Sequence, residues 1–148
     1  MANQIPPFDE HGNLPPGIHY VSVEQIEERY GLQNILPRVV ITTNLLAFID
    51  FIREFSLQIY INGSYVTSKL RPGDADVLLI LPADFDFESD KGKKLMNYIN
   101  NKGMFYLDIF PFPEGKRPDK LAEMLDGWTH SNDVAHRLKG ILSMVFRK

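Results

Sequence analysis

The stretch INGSYVTSKLRPGDADVLLILP, residues 61–82, decides how the rest of the chain is read. It overlaps LQIYIN (57–62), where Leu57, Ile59 and Ile61 alternate with Gln58, Tyr60 and Asn62, the period of a strand with one buried face. Gly63 ends that strand, and the residues after it have room for about one helical turn before Pro72 and Gly73. Asp74-Ala75-Asp76 then heads an unbroken apolar run, VLLIL, which reads as an interior strand. Side chains alternate along a strand, so Asp74 and Asp76 share a face while Ala75 takes the other. A third acid, Asp108, lies inside a later strand, MFYLDIFPF (104–112), stopped by Pro111. If the two strands are neighbours, Asp108 completes the cluster.

Carboxylates so placed repel one another. They either hold a proton at a raised pKa or take a hard cation, and oxygen ligands without Cys or an adjacent His favour Mg²⁺ or Mn²⁺ over Zn²⁺. Upstream, Gly63 permits close approach to the backbone, and the N–H groups and the Ser64 hydroxyl face outward, an arrangement suited to phosphate. Lys69 and Arg71, between that turn and Asp74, are expected to add positive charge beside a triphosphate.

Outward from this stretch, the pattern predicts an α/β (α+β) chain: a small mixed sheet flanked by helices, in one domain over residues 1–148. Residues 1–21, dense in Pro and Gly, read as an extended arm, with His19 as a backbone partner or a pocket residue. The core spans 22–111. In it, Ser22 and Gln25 form a capping box for a short helix stopped by a left-handed Gly31. A longer helix covers 38–55 with Pro37 at its start, and KGKKLMNYINNKG (91–103) gives another. Asp84, Asp86, Glu88 and Asp90 are expected in a solvated loop. Residues 112–148 are read as a helical flank, with helices at 118–126 and 132–146. The second of these carries Val134, Leu138, Ile141, Leu142 and Val145 on one face and the basic Arg137, Lys139, Arg147 and Lys148. Trp128 and His130 fall on the loop between those helices. The aromatic set Phe105, Tyr106, Phe110 and Phe112 is assigned to the core.

Composition agrees with one small domain: 148 residues, 16 basic against 19 acidic, and 44% apolar. The absence of Cys excludes disulfides, thiolate metal sites and a cysteine nucleophile. The net charge of −3 argues against general coating of nucleic acid. No export signal or membrane span is read, so the expected compartment is cytoplasmic.

The order strand, Gly63-Ser64, nine residues, Asp74-Ala75-Asp76, then an acid in a later strand resembles the nucleotidyltransferase superfamily of DNA polymerase β, and within it the minimal bacterial members. The segments LPPGIHYVSVEQIEERYG (14–31) and RLKGIL (137–142) also resemble a small bacterial branch of it. The resemblance implies that Gly63 and Ser64 hold β- and γ-phosphates, that Asp74 and Asp76 bridge two Mg²⁺ or Mn²⁺ ions, and that Asp108 completes the site at the incoming nucleophile. The implied reaction moves a nucleoside monophosphate from an NTP, ATP being the default, to a hydroxyl of a protein, an RNA end or a small molecule, with release of pyrophosphate. The alternative is a catalytically silent module that holds another protein, as an antitoxin does. A metal-dependent nuclease uses the same acids but leaves the Gly-Ser turn unexplained.

Overall fold

A computed structural model describes residues 5–31, 35–130 and 138–146. Elements follow in the order β1 (Gly17–Tyr20), α1 (Val23–Ile26), a π-helical turn (Glu27–Gly31), α2 (Leu36–Ile52), β2 (Gln58–Asn62) and a 3₁₀ turn (Ser64–Val66). Then come β3 (Ala75–Leu81), α3 (Asp90–Asn100), α4 (Lys102–Phe105), β4 (Leu107–Pro113), α5 (Pro118–Trp128) and β5 (Gly140–Val145). The fold is α+β: a five-stranded mixed sheet in the order β1-β5-β2-β3-β4, with helices around it. β5 pairs parallel with β1 and antiparallel with β2; β2 runs antiparallel to β3, and β3 parallel to β4.

The two faces of the sheet differ in chemistry. Ile59, Ile61, Ala75, Val77, Leu79, Leu107, Ile109, Leu142 and Met144 share one apolar core with Ile41, Leu45, Phe48, Ile49 and Ile52 of α2. By alternation, Asn62, Asp76 and Asp108 belong to the opposite face, so the acids project away from the main core.

The capping box forms as expected: the Gln25 amide donates to the Ser22 hydroxyl, and the Ser22 amide donates to Oε1 of Gln25. Pro37 occupies the first turn of α2. Gly31 is not a left-handed stop. It closes the π-helical turn, and it must be small because a Cβ there would lie 2.9 Å from the Thr42 methyl. The third strand begins later than expected, since Met104 and Phe105 belong to α4, and Tyr106 turns the chain into β4 through a left-handed conformation (φ 56°).

The largest correction concerns the C-terminal part. Residues 140–145 are not helix but β5, buried from Gly140 to Met144 between β1 and β2. The described residues of the flank at 112–148 hold the end of β4, the helix α5 and a strand in the interior of the sheet; Val134 and Arg137 of the expected helix lie outside the described residues, as do Arg147 and Lys148. The arm is likewise partly sheet: β1 pairs with β5, and the His19 ring donates from Nε2 to the Pro15 carbonyl at 2.7 Å. Gly140 lets these segments meet, for a Cβ there would lie 2.1 Å from the Pro15 oxygen. Among the described residues no helix is long and apolar enough to cross a membrane.

Candidate active site

The sheet register assembles the acids. Asp76 pairs with Asn62 on one side and with Asp108 on the other, so the three side chains form a row across β2, β3 and β4. Asp74 immediately precedes β3. The ammonium of Lys102, on α4, donates to Asp108 Oδ2 at 3.2 Å and lies 3.5 Å from Asp74 Oδ2. The hydrogen bond and charge of Asp108, and then the charge of Asp74, raise the Lys102 pKa. Asp76 is set deeper. Burial, then the charges of Asp74 and Asp108, push its carboxyl up to about 6, against the opposing pull of Lys102 and Lys139.

The acids thus form one electrostatic cluster in two parts: Asp74 and Asp108 around Lys102, and Asp76 beside Gly63. Among the described residues no three acidic or His side chains form a preassembled metal cage. The donor chemistry nevertheless fits a hard divalent cation. All donors are oxygens, Asp76 is disfavoured as an anion by burial and then by the charges of Asp74 and Asp108, and Lys102 is a cation already held between two of the three acids.

Gly63 behaves as the sequence reading requires. Its φ of 92° is unfavourable for a residue with a side chain, and a Cβ would lie 3.1 Å from Asp76 Oδ2. Past it, Ser64–Val66 makes the expected single turn, with the Thr67 hydroxyl donating to the Ser64 carbonyl at 2.6 Å. Arg38 holds this segment from below. Its buried guanidinium donates to the carbonyls of Tyr65 (2.7 Å), Thr67 (2.6 Å) and Lys69 (3.0 Å from Nε), and it packs against the rings of Tyr30 and Tyr65. No carboxylate is needed for this cation: carbonyl dipoles and aromatic faces take its place.

Beside Asp76 opens a cavity of about 380 Å³, within the size range of small-molecule sites. It is lined by Asn62, Gly63, Ser64, Thr67 and Asp76, by Trp128, His130 and Lys139 from later in the chain, and by Asn13 of the arm. Asn62 is buried, and its Oδ1 has no hydrogen-bond partner. The lining residues from 128–139 are held by the return of the chain to the sheet: the Lys139 amide donates to the Thr129 carbonyl at 2.8 Å, and His130 bridges to Leu138. His130 is oriented by α5, since Nδ1 lies 2.8 Å from the Asp126 carbonyl, an oxygen that can only accept.

The structure therefore brings together Asp74, Asp76 and Asp108, and places Gly63 and Ser64 on the cavity. It does not bring in Lys69 and Arg71. Both are exposed and do not line the cavity, because Arg38 draws the backbone of 65–69 inward by its carbonyls. Positive charge comes instead from Lys102 and Lys139. Lys139 was expected on a solvated helix; Trp128 and His130 were expected on a loop, yet Trp128 ends α5 and its ring lies edge-on to Phe110 at 6.1 Å. The second acidic group stays apart: Asp84, Asp86 and Asp90 are exposed, and Asp86 serves as a turn acceptor for the Glu88 amide.

The model of a family of unknown function, DUF6932, matches residues 6–145, nearly the whole chain. No curated protein and no solved structure matches it.

Proposed function

We propose that this chain, which belongs to the DUF6932 family, is a metal-dependent nucleotidyltransferase that moves a nucleoside monophosphate from an NTP to a hydroxyl group. The observation that carries the reading is the register that sets Asp76 opposite Asp108, next to Asp74, at the edge of a cavity walled by Gly63 and Ser64. In this reading Asp74, Asp76 and Asp108 hold Mg²⁺ or Mn²⁺, which when bound supplies Lewis-acid stabilisation of the phosphoryl oxygens and favours the ionised acceptor.

The chain's own residues do the remaining work. Gly63 and Ser64 receive the phosphates, since the glycine leaves the backbone bare and the serine adds a hydroxyl. Arg38 keeps that turn from relaxing. Asp108 and Asp74 stand on β4 and before β3, where an acceptor hydroxyl can approach without entering the cavity. The oxygen of the acceptor bonds to the α-phosphorus while the bond to the β-phosphate oxygen breaks. That electron pair leaves with pyrophosphate, and the hydroxyl proton passes to a carboxylate or to solvent.

Purified protein with Mg²⁺ or Mn²⁺, each labelled NTP and a panel of protein, RNA and small-molecule acceptors tests the reading. Release of pyrophosphate that disappears in Asp76→Asn supports it; a folded protein that releases none with any acceptor contradicts it. The position of Lys102 between Asp74 and Asp108 favours a second reading, a silent binding module. In that case the protein binds no NTP in a metal-dependent manner.

A further inference from the structure

Among the described residues that line the cavity, Lys139 is the one Lys or Arg. It stands just before β5, is half-buried, and makes no ion pair among the described residues; the charge of Asp76 acts on it. Holding a long ammonium partly out of water without a partner is costly, and surface lysines avoid it by swinging into solvent. The main chain at its root is fixed, because the Lys139 amide donates to the Thr129 carbonyl and Gly140, next to it, is packed against Pro15 and His19. Gly63 and Ser64 line the same cavity. These polar groups face a common space that no protein group fills.

We propose that Lys139 is a phosphate-binding residue: its ammonium, on the cavity that Gly63 and Ser64 also line, completes a site for the polyphosphate chain of a nucleoside triphosphate. The proposal rests on the nucleotidyltransferase reading and goes beyond it, because it assigns the triphosphate to the cavity side of Asp76 and the acceptor to the Asp74–Asp108 side. In the transfer step, when the bond between the α-phosphorus and its bridging oxygen breaks, the added negative charge resides on pyrophosphate, and Lys139 offsets it as a hydrogen-bond donor. Lys69 and Arg71, exposed and off the cavity wall, have no such position.

The test is calorimetric, with magnesium pyrophosphate, magnesium tripolyphosphate and magnesium ATP, GTP, CTP and UTP titrated into wild type, Lys139→Met and Lys139→Arg. Methionine keeps the apolar stem, so the Met variant is expected to fold, which its melting curve checks; the Arg variant is a second probe in case it does not. Lys139→Met should weaken pyrophosphate and NTP binding about 10- to 100-fold, the worth of a charge-assisted hydrogen bond. Lys139→Arg should stay within about 5-fold of wild type, because the positive charge is kept. If wild type binds a magnesium NTP and Lys139→Met binds it equally well, the assignment of Lys139 is overturned while the nucleotidyltransferase reading stands. If wild type binds neither pyrophosphate nor any NTP, both are overturned.

Discussion

Replacing Asp76 by Asn should stabilise the protein above pH 6 even as it removes activity. The carboxyl of Asp76 titrates at about 6 in the fold against an ordinary 3.8, because it is partly buried and faces Asp74 and Asp108. The folded state therefore holds this proton more tightly than the unfolded chain does. Raising the pH from about 4 to about 6 thus costs the fold; the penalty is complete above pH 6 and absent below the unfolded value. The displacement corresponds to at most about 3 kcal/mol, and solvent screening at a carboxylate partly open to the cavity reduces that to about 1–2 kcal/mol. Asparagine has nearly the shape of the protonated acid and escapes the penalty. Without divalent cations, the melting temperature of Asp76→Asn at pH 8 should exceed that of wild type by roughly 3–6 °C, and the gap should shrink toward zero as the pH falls to 4. A variant no more stable than wild type at pH 8, or an advantage that persists unchanged at pH 4, would refute the reasoning that burial, with the charges of Asp74 and Asp108, disfavours the ionised Asp76 in the fold.

Arg38→Met removes the donors that hold the carbonyls of Tyr65, Thr67 and Lys69; urea unfolding should show a loss of about 3–5 kcal/mol, with hydrogen exchange fastest over residues 63–69. Gly140→Ala places a Cβ against the Pro15 carbonyl and the His19 ring, and should cost about 1–3 kcal/mol in the same assay while exposing the amides of β1. Lys102→Ala frees Asp74 and Asp108 from their ammonium; calorimetry should show tighter Mg²⁺ binding than in wild type, and weaker binding would mean that Lys102 organises the acids instead of competing for them.

What could be read from the sequence depended on whether a signal was local. The alternation of Ile59 and Ile61, the punctuation by Gly63 and the spacing of Asp74 and Asp76 are properties of a few consecutive residues, and the structure keeps them. The Ser22–Gln25 box is of the same kind. β5 was missed because it is buried between two strands, so GILSM carries apolar or small residues on both faces and shows no period of two. Leu138, Ile141, Leu142 and Val145 then match helical spacing by accident, the known ambiguity of short apolar runs. β1 was hidden for the opposite reason: as an edge strand it exposes Gly17, Ile18 and Tyr20 and offers no buried stripe.

The misassigned strand also explains the errors at the site. Lys139, Trp128 and His130 reach the cavity only because the chain returns to the sheet at β5, a long-range event with no local signature. Lys69 and Arg71 looked suitable because they lie between the turn and the acids in sequence, yet the carbonyl contacts of Arg38 decide which way that loop faces. Asn62 could have been flagged, since it stands just before Gly63 with a side chain that alternation sets on the acid face.

The most direct test of the central claim is a crystal structure of the protein with Mn²⁺ and a non-hydrolysable NTP analogue, with the metal located by anomalous scattering. The account predicts anomalous density bound by carboxylate oxygens of Asp74, Asp76 and Asp108, with the phosphates at Ser64 and Lys139. A peak elsewhere, or a nucleotide held away from the 63–76 segment, would contradict it.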